Sequence, residues 1–460
     1  MGPPTPRRRA RRVAVLVAAF VLASAAAPAA RADFESAKKH FADNVKAPDW
    51  KARRSAYGAF QDHDGGPAAA TILAATATET HPVVLAAAAD TLARFRSDGA
   101  RQALLASFKG KGTERIVAAH ALRGVRGAEV DAALVAALAD APPNVALLAA
   151  AALGTPGRTG APAALAAALA ADAPVVRSAA ARALGTLGDR AAVGPLVARL
   201  ATEKGRVRGD VIAALEAITR QALGDAPAAW AAVAAGTDPK LVEAKPARPP
   251  TCFGIPVTGE RVVFVIDRSL QMDDPHALTG EAGRERLQAL CTPPDGERIP
   301  WRQLKSRRQL AQAHVRHAVL GLPASARFEV IVFAEDVAGV FGKKLVPPNA
   351  ASEKALDDAF GKLQTDDGIN VWEALLAALD LGGPTDDKAL KAGPDQILLV
   401  LNNVPTKGDV TDPDAVEKGI AFRARTRGVP ISVVDLGAHR QLLAEGIAKG
   451  TGGTYLDLTK

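Results

Sequence analysis

The sequence predicts a multidomain chain: an all-α solenoid of stacked helical pairs, followed by an α/β doubly wound, mostly parallel sheet. Three observations lead there. Between about residues 49 and 230 an Ala/Leu register returns every 30 or 31 residues. Prolines then crowd into Lys245-Pro-Ala-Arg-Pro-Pro250 and interrupt any helical pattern. Beyond them, short β-branched runs alternate with helical stretches, the clearest run being Arg261-Val-Val-Phe-Val-Ile-Asp267.

In Asp90-Thr-Leu92, His120-Ala-Leu122, Ala151-Ala-Leu153, Arg182-Ala-Leu184 and Ala213-Ala-Leu215 the leucines lie 30, 31, 31 and 31 residues apart, and Phe60 begins the series about one period earlier. Each unit, such as 175–200, reads as two helices around a Gly-Asp turn, with Pro195 in the first turn of the second helix, where its missing N–H costs little. One such hairpin cannot bury its own apolar stripe, so neighbours must stack. The units resemble short HEAT-like repeats of the phycobilisome-lyase type, and the resemblance implies a concave scaffold or docking surface without implying lyase activity. His63, His81 and His120 lie in the array with no carboxylate or cysteine at ligand spacing and read as structural.

Residues 1–32 combine a cluster of arginines, an apolar run from Val13 to about Ala23 and a small-residue end at Ala30-Arg31-Ala32, the pattern of a signal peptide cleaved before Asp33. A membrane anchor is the alternative, but the apolar core is shorter than the ~20 residues a spanning helix needs. These residues hold six arginines and no acid. Without them the formal charge of +8 falls to 51 basic against 49 acidic residues, a net of +2, too little for a nucleic-acid or anionic-lipid surface. The mature chain is therefore expected to be exported, periplasmic or extracellular, with no membrane span, and to take protein partners. Its two cysteines, Cys252 and Cys291, are either a disulfide tying the linker to an insertion or two buried thiols. The domain layout is a signal peptide at 1–32, the solenoid at 33–235, a Pro-rich linker at 236–252 and the sheet domain at 253–460.

In the second module the expected strands are 261–267, 327–334, 395–402, 429–435 and 453–457, with an edge strand near 338–342. Helices fill the gaps at 303–321, 353–363, 371–381, 413–427 and 439–450. Asp412 and Pro413 form a good helix start. With Asp267-Arg-Ser269-Leu-Gln271 after the first strand, Phe328-Glu-Val-Ile-Val-Phe-Ala in the second and Ile447-Ala-Lys-Gly-Thr-Gly-Gly-Thr-Tyr455 near the end, the module resembles the von Willebrand factor A (vWA) fold across essentially all of 253–460. The entry Cys252-Phe-Gly-Ile-Pro256 after a HEAT-like array also resembles exported bacterial proteins that pair the two modules.

The vWA resemblance implies a metal-ion-dependent adhesion site of the form D-x-S-x-S with ligands on two further loops. Here Asp267 and Ser269 match, but Gln271 replaces a serine, Ile369 replaces the threonine of the second loop, and Leu401-Asn402 replaces the Thr-Asp of the third. Hard cations such as Mg²⁺ or Ca²⁺ need oxygen ligands and negative charge, both of which are reduced. The expectation is a degenerate site formed by Asp267, Ser269, Gln271 and Asn402 with no cofactor. Under that reading Asp267, Ser269 and Asn402 bond backbone amides at the top of the sheet. The alternative is a metal-dependent receptor in which Asp273, Asp274, Asp366 or Asp367 substitutes as ligand. No nucleophile, base and orienting acid stand together, and His314 and His317, three apart on one helix, lack a third ligand, so no catalytic residue is assigned. Non-enzymatic protein–protein interaction, as an adhesion or scaffolding protein of the bacterial cell envelope, is the expected function.

Overall fold

The computed structural model describes residues 33–139, 142–241, 249–275, 285, 299–383, 387–437 and 442–459. The expected signal peptide, Cys291, His276 and His439 lie outside them. A first helix, α1, covers 33–44. Six helix pairs follow: α2 (Trp50–Gly58) and α3 (Gly66–Thr76), α4 (Pro82–Arg94) and α5 (Asp98–Phe108), α6 (Thr113–Leu122) and α7 (Ala128–Ala137), α8 (Pro143–Leu153) and α9 (Ala161–Ala168), α10 (Pro174–Leu187) and α11 (Val193–Leu200), α12 (Gly205–Thr219) and α13 (Pro227–Ala234).

The even-numbered helices stack on one another in one layer, α2 to α12. Each repeat leucine (Leu92, Leu122, Leu153, Leu184, Leu215) lies on one of them and is fully buried, as is Phe60 after α2. Such a burial stabilises the stack by roughly 2 kcal/mol. Proline occupies the first turn of α3, α4, α8, α9, α10 and α13. The period is also written in polar contacts. Arg53 bonds Glu79 (2.8 Å) and the carbonyls of Ala47 and Pro48, while Arg177 bonds Glu203 (2.7 Å) and those of Ala171 and Asp172. The two arginines are 124 residues apart, four times 31.

The second module opens with a small hairpin, β1 (Thr251–Cys252) and β2 (Ile255–Pro256), which the strand pattern missed because each arm is only 2 residues long. The main sheet has the order β5-β4-β3-β6-β7-β8, from β3 (Arg261–Asp267), β4 (Arg327–Phe333), β5 (Val337–Gly339), β6 (Gln396–Leu401), β7 (Ile431–Asp435) and β8 (Tyr455–Asp457). All pairs are parallel except the β4/β5 edge. Its helices are α14 (Arg307–Gly321), α15 (Ala350–Lys362), α16 (Val371–Leu379), α17 (Asp387–Ala392), α18 (Pro413–Arg427) and α19 (Leu442–Thr451). The expected strands and helices are present with ends shifted by a few residues, and α17 was not anticipated.

Alternation along the strands divides two cores. Val262, Phe264 and Ile266 face α14, α15 and the hairpin, where Cys252, Phe253 and His314 are buried. Val263 and Val265 face the other way, into an apolar cluster that includes α16, α18 and α19 and continues without a break through the repeats to Phe41. The sheet domain therefore shares a core with the solenoid.

Candidate functional site

β3 pairs with β4 on one side and β6 on the other, so the chain reverses its direction of travel across the sheet at β3, and a crevice opens at the carboxyl ends of β3 and β6. Asp267 ends β3 there, fully buried. Its Oδ1 accepts from the Ser269 N–H (2.7 Å) and its Oδ2 from the Asn402 N–H (3.1 Å). Burial pushes the Asp267 carboxyl up to about 6, against the pull of those amides and of the Ser269 side chain. Ser269 and Asn402 are buried with it, so three of the four expected site residues come together. Gln271 sits in the short turn after Ser269 and is exposed.

The second loop meets this crevice through its backbone. Ile369 is buried as a core side chain; its N–H donates to Thr406 Oγ1 (3.0 Å) and its carbonyl accepts from the Thr406 N–H (3.0 Å). Asn370 caps α16, accepting from the Glu373 N–H (3.2 Å). Thr406 was not singled out from the sequence, since it stands four residues beyond Asn402, outside the motif. Asp435 was missed for a similar reason: it ends β7 as Asp267 ends β3, is fully buried, and accepts from the Gly437 N–H and the Tyr455 hydroxyl, both at 3.0 Å.

Three of the four acids considered as substitute ligands are held by arginines. Asp273 accepts from Arg308 (2.6 Å) and from the Thr365 hydroxyl (2.8 Å); against the upward push of burial, these partners hold its carboxyl below the ordinary range. Asp274 pairs with Arg307 at 3.5 Å. Asp366 lies 3.6 Å from Arg268, which also pairs with Asp336. Among the described residues no group of three or more His, Cys, Asp and Glu side chains is disposed to hold a metal ion. His314 is buried and stacked on Phe253 (3.9 Å), and burial together with neighbouring His317 pushes its pKa down to about 3.

A second assembly of polar and aromatic groups joins the modules. Helix α18 packs on α4 and α8 and lies over the face that the even-numbered helices present, so the surface expected to receive a partner is filled by the chain itself. Gly419 makes this possible: a Cβ there would meet Val83 Cγ2 at 2.7 Å and the Trp372 ring at 2.8 Å. Along the contact, Arg54 pairs with Asp414 (2.6 Å), His81 with Asp409 (3.2 Å) and His120 with Thr426 (2.9 Å), and His120 stacks on Phe422 at 4.1 Å. Arg182 donates to the Gly452 carbonyl (2.8 Å), and Arg206 to the carbonyls of Asp395 and Gly428 (both 2.7 Å). Gly452 has φ +78°, and a Cβ there would collide with the Arg182 guanidinium. The Gly-Gly of the closing motif thus serves the interface at Gly452, while Gly453 admits the Ile431 carbonyl.

The class these features define is a helical-repeat array whose even-numbered helices carry a doubly wound, mostly parallel sheet domain. Residues 131–216 match the family model for HEAT repeats. No curated protein matches the chain. Among solved structures, the chain is similar to a von Willebrand factor type A protein from Catenulispora acidiphila, at 15% identity and a TM-score of 0.30, over 47% of this chain and 41% of that one. The chain thus spans less than half of that protein's length. Among the described residues no helix is long and apolar enough to cross a membrane.

Proposed function

We propose that the protein is a non-enzymatic, exported scaffold or adhesion protein that binds a protein partner at the carboxyl edge of its sheet, without a metal ion. One observation carries this reading. Among the described residues the exposed large apolar side chains are Leu270, Val404 and Leu442, which follow β3, β6 and β7, three neighbouring strands of one sheet edge. Apolar groups left in water beside a buried polar crevice are the composition of a protein-docking patch. The arginine pairs of Asp273, Asp274 and Asp366 support a metal-free edge, because each neutralises charge that a divalent ion would need.

The test uses the full chain with Leu270→Asp and Val404→Asp, and Arg190→Glu in the repeats as a control. A partner that co-purifies with the wild type and the control but is lost from both edge variants supports the reading; retention by both edge variants overturns it. Calorimetric titration with Mg²⁺, Mn²⁺ and Ca²⁺, beside Asp267→Ala, addresses the ion. Saturable heat that disappears in the variant would replace the metal-free edge with a receptor whose partner completes a metal's coordination.

A further inference from the structure

A cavity of about 330 Å³ lies between the even-numbered helices and the sheet domain, bounded by α6, α8 and α10 on one side and by α18 and the end of α19 on the other. Its lining is cationic. Arg206 and Lys449 are neutralised within their own helices, by Asp210 at 3.2 Å and by Glu445 at 2.5 Å. Arg123 and Arg182 from the repeats and Arg425 from the sheet domain are not: among the described residues no carboxylate forms an ion pair with any of the three. Arg182 and Arg425 each give one N–H to a carbonyl, of Gly452 (2.8 Å) and Gly450 (2.5 Å), which leaves further guanidinium donors and the whole positive charge. Asp210, which acts on Arg182 through space, is occupied by Arg206 and the Ser178 hydroxyl. Asp90 and Glu417 act on Arg425 only through space.

Docking the modules brings these like charges together at a half-buried site, which opposes docking unless a negative charge joins them. The crowding of positive charge is visible at Arg425, Arg182 and the neighbouring His120, which depart from their ordinary values. Burial pushes Arg425 down to about 10, with Arg123 adding to the shift; burial lowers Arg182, with Arg206 and Arg123 adding; and half-buried His120 is held well below the usual histidine range by desolvation, Arg425 and Arg123. The hydroxyl of Thr155 also lines the cavity, while those of Ser178 and Thr186 give their protons to Asp210 and to the Arg182 carbonyl.

We propose that this cavity binds a small phosphate-bearing anion, held by Arg123 and Arg182 of the repeats and Arg425 of the sheet domain, and that the anion clamps the two modules together. Guanidinium groups suit phosphate oxygens because they offer paired N–H donors in one plane. The volume falls in the range of small-ligand sites, ~300–1,000 Å³. The site lies on the repeat-facing side of the sheet domain, apart from the carboxyl-edge patch, so it stands or falls independently of the partner-binding reading.

The test is a thermal-shift and calorimetric titration of the full chain with inorganic phosphate and with pyrophosphate, against chloride at matched ionic strength. Wild type is expected to show a saturable rise in melting temperature and saturable heat with at least one of the two. Arg123→Gln and Arg425→Gln are each expected to weaken binding about tenfold, the loss of one charge-assisted hydrogen-bonding group. Arg316→Gln, which removes a surface pair with Asp357, is expected to leave it unchanged. Arg123 is exposed and, among the described residues, makes no side-chain hydrogen bond, so its variant keeps the test open if Arg425→Gln does not fold. No saturable response to either anion, or an equal response in wild type and Arg123→Gln, overturns the proposal.

Discussion

His81 of the repeats is stacked with Trp372 of the sheet domain, ring centroids 5.5 Å apart and planes 16° from parallel, and also with Trp50 at 5.4 Å and 7°. Three rings from α2, the α4 N-terminus and α16 thereby form one contact through which the apolar core passes from module to module. Wild type is expected to unfold in a single calorimetric transition. Trp372→Ala removes a nearly fully buried ring and is expected to cost about 3–5 kcal/mol. His81→Ala, which loses the stacking and the Asp409 contact, is expected to cost about 1–2 kcal/mol. Both are expected to split the transition in two; a single unshifted transition in both variants would show that the modules are not joined here.

Asp267 carries a pH signature. Its folded pKa of about 6 stands above the ordinary 3.8, so the folded state holds its proton while the unfolded state has already released it. Below pH 3.8 the group is neutral in both states and costs nothing; stability then falls as pH rises from about 4 to 6, by about 3 kcal/mol in all, and stays lower above that. Asp267→Asn cannot ionise. The stability of the variant relative to wild type, measured by urea unfolding, is expected to improve by that amount between pH 4 and pH 7. A difference that does not change with pH would refute the buried, uncompensated carboxylate. If millimolar Mg²⁺ abolished the effect, an ion would be stabilising the charge.

Within the repeats, Arg158 and Asp131 form an ion pair at 2.9 Å with the arginine side chain fully buried, and Arg158 also bonds the carbonyls of Leu122 and Arg123. Removing one partner of such a pair leaves a charge with no compensation. Asp131→Ala is expected to cost about 3–5 kcal/mol in chemical unfolding, and far more than the surface change Asp357→Ala, whose pair with Arg316 is half exposed. Equal costs would show that solvent reaches Arg158.

Much of the candidate site was legible because its geometry is local to strand ends. The run into Asp267 places that acid where β3 stops, and the Asp267–Ser269 bond spans two residues. Asn402 also lies where its motif position placed it. Thr406 and Asp435 were not legible in the same way. Thr406 acts through a backbone N–H of another loop, and Asp435 through the hydroxyl of Tyr455 on the neighbouring strand. Neither of these partners is near in sequence, and although Asp435 also accepts from the Gly437 N–H as Asp267 does from that of Ser269, no motif marked it. The arginine partners of Asp273, Asp274 and Asp366 belong to the same category.

The sequence by itself determined the elements and the layers: a period of 31 residues sets the stack of helix pairs, and apolar runs such as that of β3, alternating with helices, set a sheet covered on both faces. These follow from short-range rules, since a residue's place in a helical or strand period dictates which way it points. Tertiary structure alone decided that the face of the even-numbered helices receives α18. That outcome depends on shape and charge matching between distant segments, Gly419 against Val83, His120 against Phe422 and Arg182 against Gly452. The sequence shows α18 as a helix with small and apolar residues on more than one side, which is the mark of burial on two faces. Only the folded chain shows that its second face meets the repeats, because periodicity records that a surface is apolar and carries no information on what covers it.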